Sequence, residues 1–349
     1  VPRRTILFAV IAVASLGSAA VYLLHAVRRT TPDIAMTRPP AGPPSLLGPA
    51  ESPPSGPLVI FRRTSQDRYN GLLGFLPLSA PTASRLVERL RCERVNMAAG
   101  RGVCLAADRG VFTTYRAVLF DDRFNPRGEL PLAGVPSRVQ VSPDGKLAGT
   151  TVFVSGHAYS EGSFSTRTSL IDLESRRWLV EDLETFTVRR KGQQIQSPDF
   201  NFWGVTFAHD GRTFYATLGT GGETLLVKGD IDTRVIEVLE ESVECPSLSP
   251  GGRQVAFKQR SGGVTGPVTW RLWVLDLETR KRHPLAETRN VDDQAEWLDD
   301  QHVLYALPGG EGRGAIMDEW ITPADGSGEP RLFLPEAYSA GVDRPGGRS

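Results

Sequence analysis

Residues able to do chemistry are scattered through this chain, and their spacing matches no standard catalytic pattern. The five histidines, His25, His157, His209, His283 and His302, include no H-E-x-x-H pair. No G-x-S-x-G elbow offers a serine nucleophile. Cys92, Cys104 and Cys245 lack C-x-x-C spacing, which argues against a zinc or thioredoxin-type motif. Cys92 and Cys104 fall on what read as consecutive strands and could pair outside the cytoplasm; burial as small apolar residues is the favoured alternative. The acidic run Val291 to Asp300 could supply oxygens to calcium, but it lacks the D-x-D-x-D-G spacing of an EF-hand and reads better as solvated turn carboxylates. No catalytic residue, metal ligand or cofactor is therefore assigned.

The elements that would position any site are clearer. Val141 to Phe153 (VSPDGKLAGTTVF) reads as strand, Asp-Gly turn and strand, because glycine accepts positive φ without steric cost. FAHDGRTFYAT, LSPGGRQVAF and WLDDQHVLYA repeat the pattern, and NMAAGRGVCLA is a degenerate copy. The turn positions Asp144, Asp210, Gly251 and Asp300 fall 66, 41 and 49 residues apart. These hairpins alternate with a second strand pair, as in SLIDLESRRWLVEDL and RLWVLDLETRKRHPL. Four antiparallel strands repeating at about 40–50 residues predict a β-propeller, and six units fit between Leu58 and Tyr338.

Aligned on the turns, the third and fifth residues before each turn are mostly apolar, and the fourth and sixth mostly polar or small. Period-two alternation places the two sets on opposite strand faces. The polar set includes Arg138, Gln140, Thr206, Ser247, Gln294 and Glu296. It lines either the axial channel or the packing between blades. A second candidate surface is the insertion Gly156 to Thr166 together with Phe186 to Trp203, where His157, Tyr159, Phe200 and Trp203 would supply aromatic contacts; Phe202 and Trp203 fit a core strand equally well.

The SPDG hairpin followed by LIDLESRR or WVLDLETRK resembles the TolB-like propeller repeat. That resemblance runs from about residue 58 to 338 and is densest over Val141 to Leu285. It implies an all-β, six-bladed propeller in a periplasmic or envelope setting.

The termini complete the reading. Thr5 to Val27 is an apolar run of about 23 residues flanked by arginines, long enough to cross a bilayer. It reads as an uncleaved signal anchor within residues 1–29, with a cleaved signal peptide and a secreted protein as the alternative. Residues 30–57 are rich in Pro, Gly and Ser and read as a flexible linker. Residues 339–349 read as a disordered tail. Lys plus Arg and Asp plus Glu number 40 each, so no electrostatic pull toward nucleic acid exists. The chain is accordingly expected to be a single-pass, non-catalytic envelope protein that binds a protein or polymer through a propeller face or channel mouth. An enzyme with an axial site and a sensory or structural subunit of a membrane complex are the alternatives.

Overall fold

A computed structural model describes residues 43–48, 51–79, 81, 84–154, 165–262, 267–310 and 315–344, all within one compact unit, Arg38–Ser349. The expected membrane segment, His157 and Tyr159 lie outside the described residues. No helix among the described residues is long and apolar enough to cross a membrane.

The strands form six blades whose core strands are antiparallel, with parallel pairing where an extra outer strand is added to the first and fourth. The first blade uses β1 (Ser45–Leu46), β2 (Leu58–Arg63), β3 (Leu72–Pro77) and β4 (Arg85–Arg91), and the second β5 (Arg94–Ala98), β6 (Arg101–Arg109), β7 (Thr113–Asp121) and β8 (Pro126–Leu132). The third holds β9 (Val135–Val141), β10 (Leu147–Val154), β11 (Ser165–Asp172) and β12 (Arg177–Val180). The fourth carries the extra pair β13 (Thr187–Arg190) and β14 (Gln193–Ile195) outside β15 (Asn201–Phe207), β16 (Thr213–Thr220), β17 (Glu223–Asp230) and β18 (Val235–Glu241). The fifth comprises β19 (Glu244–Leu248), β20 (Gln254–Ser261), β21 (Thr269–Asp276) and β22 (Arg282–Pro284), and the sixth β23 (Glu296–Asp299), β24 (His302–Pro308), β25 (Met317–Pro323) and β26 (Arg331–Leu334). A last strand, β27 (Ala337–Asp343), returns to the first blade and pairs antiparallel with β2, Val59 opposite Val342.

The expected turn chemistry is present. Asp144 Oδ1 accepts from the Ser142 hydroxyl at 2.6 Å and from Lys146 N at 3.0 Å, and Gly145 takes φ +70. Asp210, Asp230 and Asp276 cap backbone N–H groups in the same way.

Alternating apolar residues on both faces of each blade meet the neighbouring blades. Buried clusters fill the successive blade interfaces, for example Phe75, Met97 and Phe124 between the first and second blades and Leu170, Phe202 and Phe214 between the third and fourth. Phe61, Leu72 and Ala337 pack with Leu334 of the sixth blade, so the ring is sealed by apolar burial as well as by β-pairing.

Two boundaries differ from the expectation. Residues 339–343 of the expected tail are the end of β27, the innermost strand of the first blade. Part of the expected linker also lies along that blade: Ser45 and Leu46 pair parallel with Arg85 and Leu86, Leu47 is buried, and Glu51 forms an ion pair with Arg85. Unsatisfied edges and single apolar residues explain both, since each segment adds a strand to an edge that would otherwise expose its backbone.

Cys92 and Cys104 are both buried and form a disulfide across 12 residues of sequence, with Cα atoms 5.3 Å apart, so burial and pairing hold together. Cys245 is a buried free thiol. Replacing both paired cysteines by alanine is expected to destabilise the domain by about 3 kcal/mol, the loop-entropy value for a loop of this length. A thermal melt of the variant against the oxidised chain checks this, and identical melting temperatures would show that the bridge contributes nothing.

Candidate functional site

The innermost strand of each blade has one edge facing the axis, where backbone N–H groups have no strand partner. Side chains of the preceding blade satisfy several of them. Asn96 Oδ1 accepts from Val141 N at 2.8 Å, Thr206 Oγ1 from Leu248 N at 3.1 Å, and Glu296 from Val342 N. In each case the polar residue four before one turn caps the next blade's inner strand. Glu319 Oε1 accepts from Ala340 N at 3.0 Å, and Asp343 Oδ1 from Gly100 N at 3.2 Å. These bonds account for Asn96, Thr206 and Glu296 in the polar alternation along the inner strands.

The expected channel residues therefore divide. Thr206 and Ser247 are buried at 2 % exposure each; the Thr206 hydroxyl is spent on Leu248 N, and the Ser247 carbonyl accepts from Trp297 Nε1 at 2.8 Å. These two serve packing between blades. Gln140 and Glu296 meet near the axis: Asn96 Nδ2 donates to Gln140 Oε1 at 3.4 Å, and Gln140 Nε2 to Glu296 Oε2 at 3.3 Å. Gln294 Nε2 donates to the Pro246 carbonyl at 3.2 Å. Burial pushes the Glu296 carboxyl up to about 7, partly offset by Arg344 and by its hydrogen bonds. Burial, with the repulsion of Asp293, holds Glu319 well above the usual carboxylate range.

Beyond this layer, at the end of the inner strands away from the Asp-Gly turns, lies the axial mouth. Arg94 and Arg138 stand there with side chains 13 % exposed, each 3.7 Å from Asp293 Oδ1. Arg94 also lies over the Tyr338 ring, 4.1 Å from its centroid. Arg138 Nη1 donates to the Ser137 carbonyl at 2.8 Å, and its buried Nε has no partner. On the fourth blade the corresponding position is Gly204, at φ +67, where a Cβ would come within 2.8 Å of the Cys245 Cα; only glycine fits. At the opposite mouth a chamber of about 100 Å³ is lined by Pro143, His209, Pro250 and Arg344, the last donating to the Trp297 and Leu298 carbonyls at 2.8 Å.

Several sequence expectations are corrected here. Phe200 and Trp203 are 8 % and 7 % exposed and belong to the packed interior: Trp203 lies in the inner strand β15 and Phe200 immediately precedes it. Asp293 is a buried partner of two arginines, not a solvated turn carboxylate. His209, exposed beside its turn, and half-buried His283 each donate from Nε2 to a carbonyl of the following blade, Pro250 and Ala324, at 2.7 and 2.9 Å. Sequence reasoning misses Arg94 because the second blade's hairpin, NMAAGRGVCLA, is too degenerate to align with the other copies.

No family model matches the chain, and no curated protein matches it in sequence. Solved structures do. TolB from Acinetobacter baumannii superposes with a TM-score of 0.57 at 17 % identity, over 83 % of this chain and 67 % of that one. The fold is a TolB-like six-bladed propeller. A chain of the nidogen/laminin complex shares the same architecture, with a TM-score of 0.53 at 12 % identity over 82 % of this chain and 98 % of its own. At these identities the likeness of the TolB-like propeller to either structure speaks for the fold alone.

Proposed function

We propose that this chain is a non-catalytic, extracytoplasmic binding or scaffold protein of the cell envelope, presenting a propeller face or mouth to a protein or envelope polymer. The observation that carries this reading is the engagement of the axial polar groups with one another. Asn96, Gln140 and Glu296 form one hydrogen-bonded chain across three blades, and Glu296 and Glu319 hold the closing strand. Groups committed in this way stiffen a display platform and leave little freedom to react. The Cys92–Cys104 bridge suits an oxidising compartment, in keeping with an envelope setting and with the apolar segment 5–27 as its anchor. The nidogen/laminin complex shows a propeller of this architecture in a protein assembly, which fits a protein partner here.

The β6–β7 hairpin supplies a testable contact. Its tip carries Val111 and Phe112, 96 % and 83 % exposed, at the same end of the ring as Arg94 and Arg138. Exposed apolar side chains at a projecting tip contribute nothing to the core, so replacing both by serine is expected to change stability by less than about 0.5 kcal/mol. Crosslinked affinity capture from intact cells with the full chain should then recover a partner with the original sequence and several-fold less with the double variant. Equal recovery would move the binding face elsewhere, and bound metal together with turnover of a polymer would favour the enzyme alternative.

A further inference from the structure

We propose that the axial mouth framed by Arg94 and Arg138 receives a single carboxylate group from a peptide, either a chain terminus or an Asp or Glu side chain. This rests on the binding reading above and names the chemistry of its ligand. Two nearly buried guanidiniums share one carboxylate, Asp293, and neither comes closer to it than 3.7 Å, beyond hydrogen-bond distance. The buried Arg138 Nε is unpartnered. Buried N–H donors left unsatisfied are costly, and a planar fork of such donors matches a carboxylate in two-pronged geometry.

Charge points the same way. Arg94 and Arg138 carry two positive charges and share Asp293; Asp292, which also acts on Arg138, is itself ion-paired with Lys258. Burial and the repulsion of Asp293 raise the Glu319 carboxyl, which disfavours a further negative charge beside the pair. Arg62, next to Arg94, is ion-paired with Glu93 at 3.9 Å and leaves this balance unchanged. Space then limits the ligand. The chamber lined by Arg94, Arg138, Asp293, Gln294, Glu296 and Ser339 holds only about 20 Å³. That admits an oxygen or two, the size of a carboxylate end, and excludes a sugar ring. A uronate polymer is thus disfavoured relative to an extended peptide that inserts one acidic group.

The test uses the full chain and defined probes. Calorimetric titration with acetyl-Gly-Ala-Ala bearing a free carboxylate, its C-terminal amide, and acetyl-Gly-Asp-Gly amide separates terminal from side-chain carboxylates. One or both acids should bind and the neutral amide should not, and Arg94→Gln and Arg138→Gln should each weaken binding at least tenfold. Asp293→Ala should lower the melting temperature, and acetate should restore it more than chloride at equal ionic strength; adding Arg138→Gln should abolish that rescue. Acids and amide titrating alike, or acetate acting no better than chloride, would overturn the proposal, as would tighter binding of polygalacturonate than of any peptide. If Asp293→Ala does not fold, the wild-type titrations decide alone. Failure of the carboxylate site leaves partner capture intact, whereas absence of any captured partner removes the binding reading itself.

Discussion

Ending the chain after Glu336 is expected to abolish cooperative folding. The deletion removes β27, the innermost strand of the first blade, which pairs with β2 from Leu58 to Arg63 and buries Ala337 and Val342. It also strips partners from other blades. Glu319 loses Ala340 N, Glu296 loses Val342 N, Gly100 N loses Asp343, and Val95 loses the Ser339 hydroxyl. A buried polar group left without its partner costs about 1–3 kcal/mol, and several at once are comparable to the roughly 5–15 kcal/mol that holds a whole domain folded. Far-ultraviolet circular dichroism melts and limited proteolysis check this. A truncated chain that melts cooperatively at the original temperature would mean that the ring does not depend on its last strand.

Stability is also expected to fall as pH rises from about 4.5 to 7, and Glu296→Gln should remove part of that fall. The folded-state carboxyl of Glu296 sits near 7, raised from an ordinary 4.5 by burial. The folded chain therefore holds a proton that the unfolded chain releases. Its contribution is complete below the unfolded value and is lost as pH climbs through the folded one. A shift of this size corresponds to at most about 3 kcal/mol. The groups facing Glu296 are Gln140, Arg344, the Val342 N–H and Glu319; Glu319 in turn faces Asp293, Arg94 and the Ala340 N–H. Glutamine keeps the shape and a carbonyl oxygen for the Val342 N–H while removing the titration. Urea unfolding between pH 5 and 8.5 should show a shallower decline in the variant; equal slopes would place the buried proton elsewhere. The turn carboxylates act in the opposite sense. Asp276 is held at about 2 by the Thr279 N–H and by Arg253, so its contribution is present above the ordinary range and fades only in acid.

The architecture was largely legible because it is local. Asp144-Gly145 and Asp210-Gly211 mark hairpins through the φ freedom of glycine and the capping oxygens of aspartate, and the apolar residues three and five before each turn fix which strand face enters the core. Ring closure was not legible. AYSAGVD has no turn signal, and its Gly341 is small because a Cβ would come within 2.7 Å of Asn96 Nδ2, a partner far away in sequence. The polar residues before the turns were visible as a pattern, but their role depends on the next blade: Asn96 and Thr206 cap backbone N–H groups some 40 residues later. Arg138 was found by alignment with its repeats. Its counterpart Arg94 sits in a blade whose hairpin is too degenerate to align, and the pair becomes meaningful only once the ring brings both to Asp293.

The most direct test of a binding role is positional photocrosslinking in intact cells. A photoreactive residue is placed singly at Phe112 or Val268, at the Arg94–Arg138 end of the ring, and at Lys146, on an exposed Asp-Gly turn at the other end. A binding propeller of the kind proposed here predicts one recurrent adduct from Phe112 and Val268 and none from Lys146. No adduct from any position, or the same adducts from all three, would contradict it.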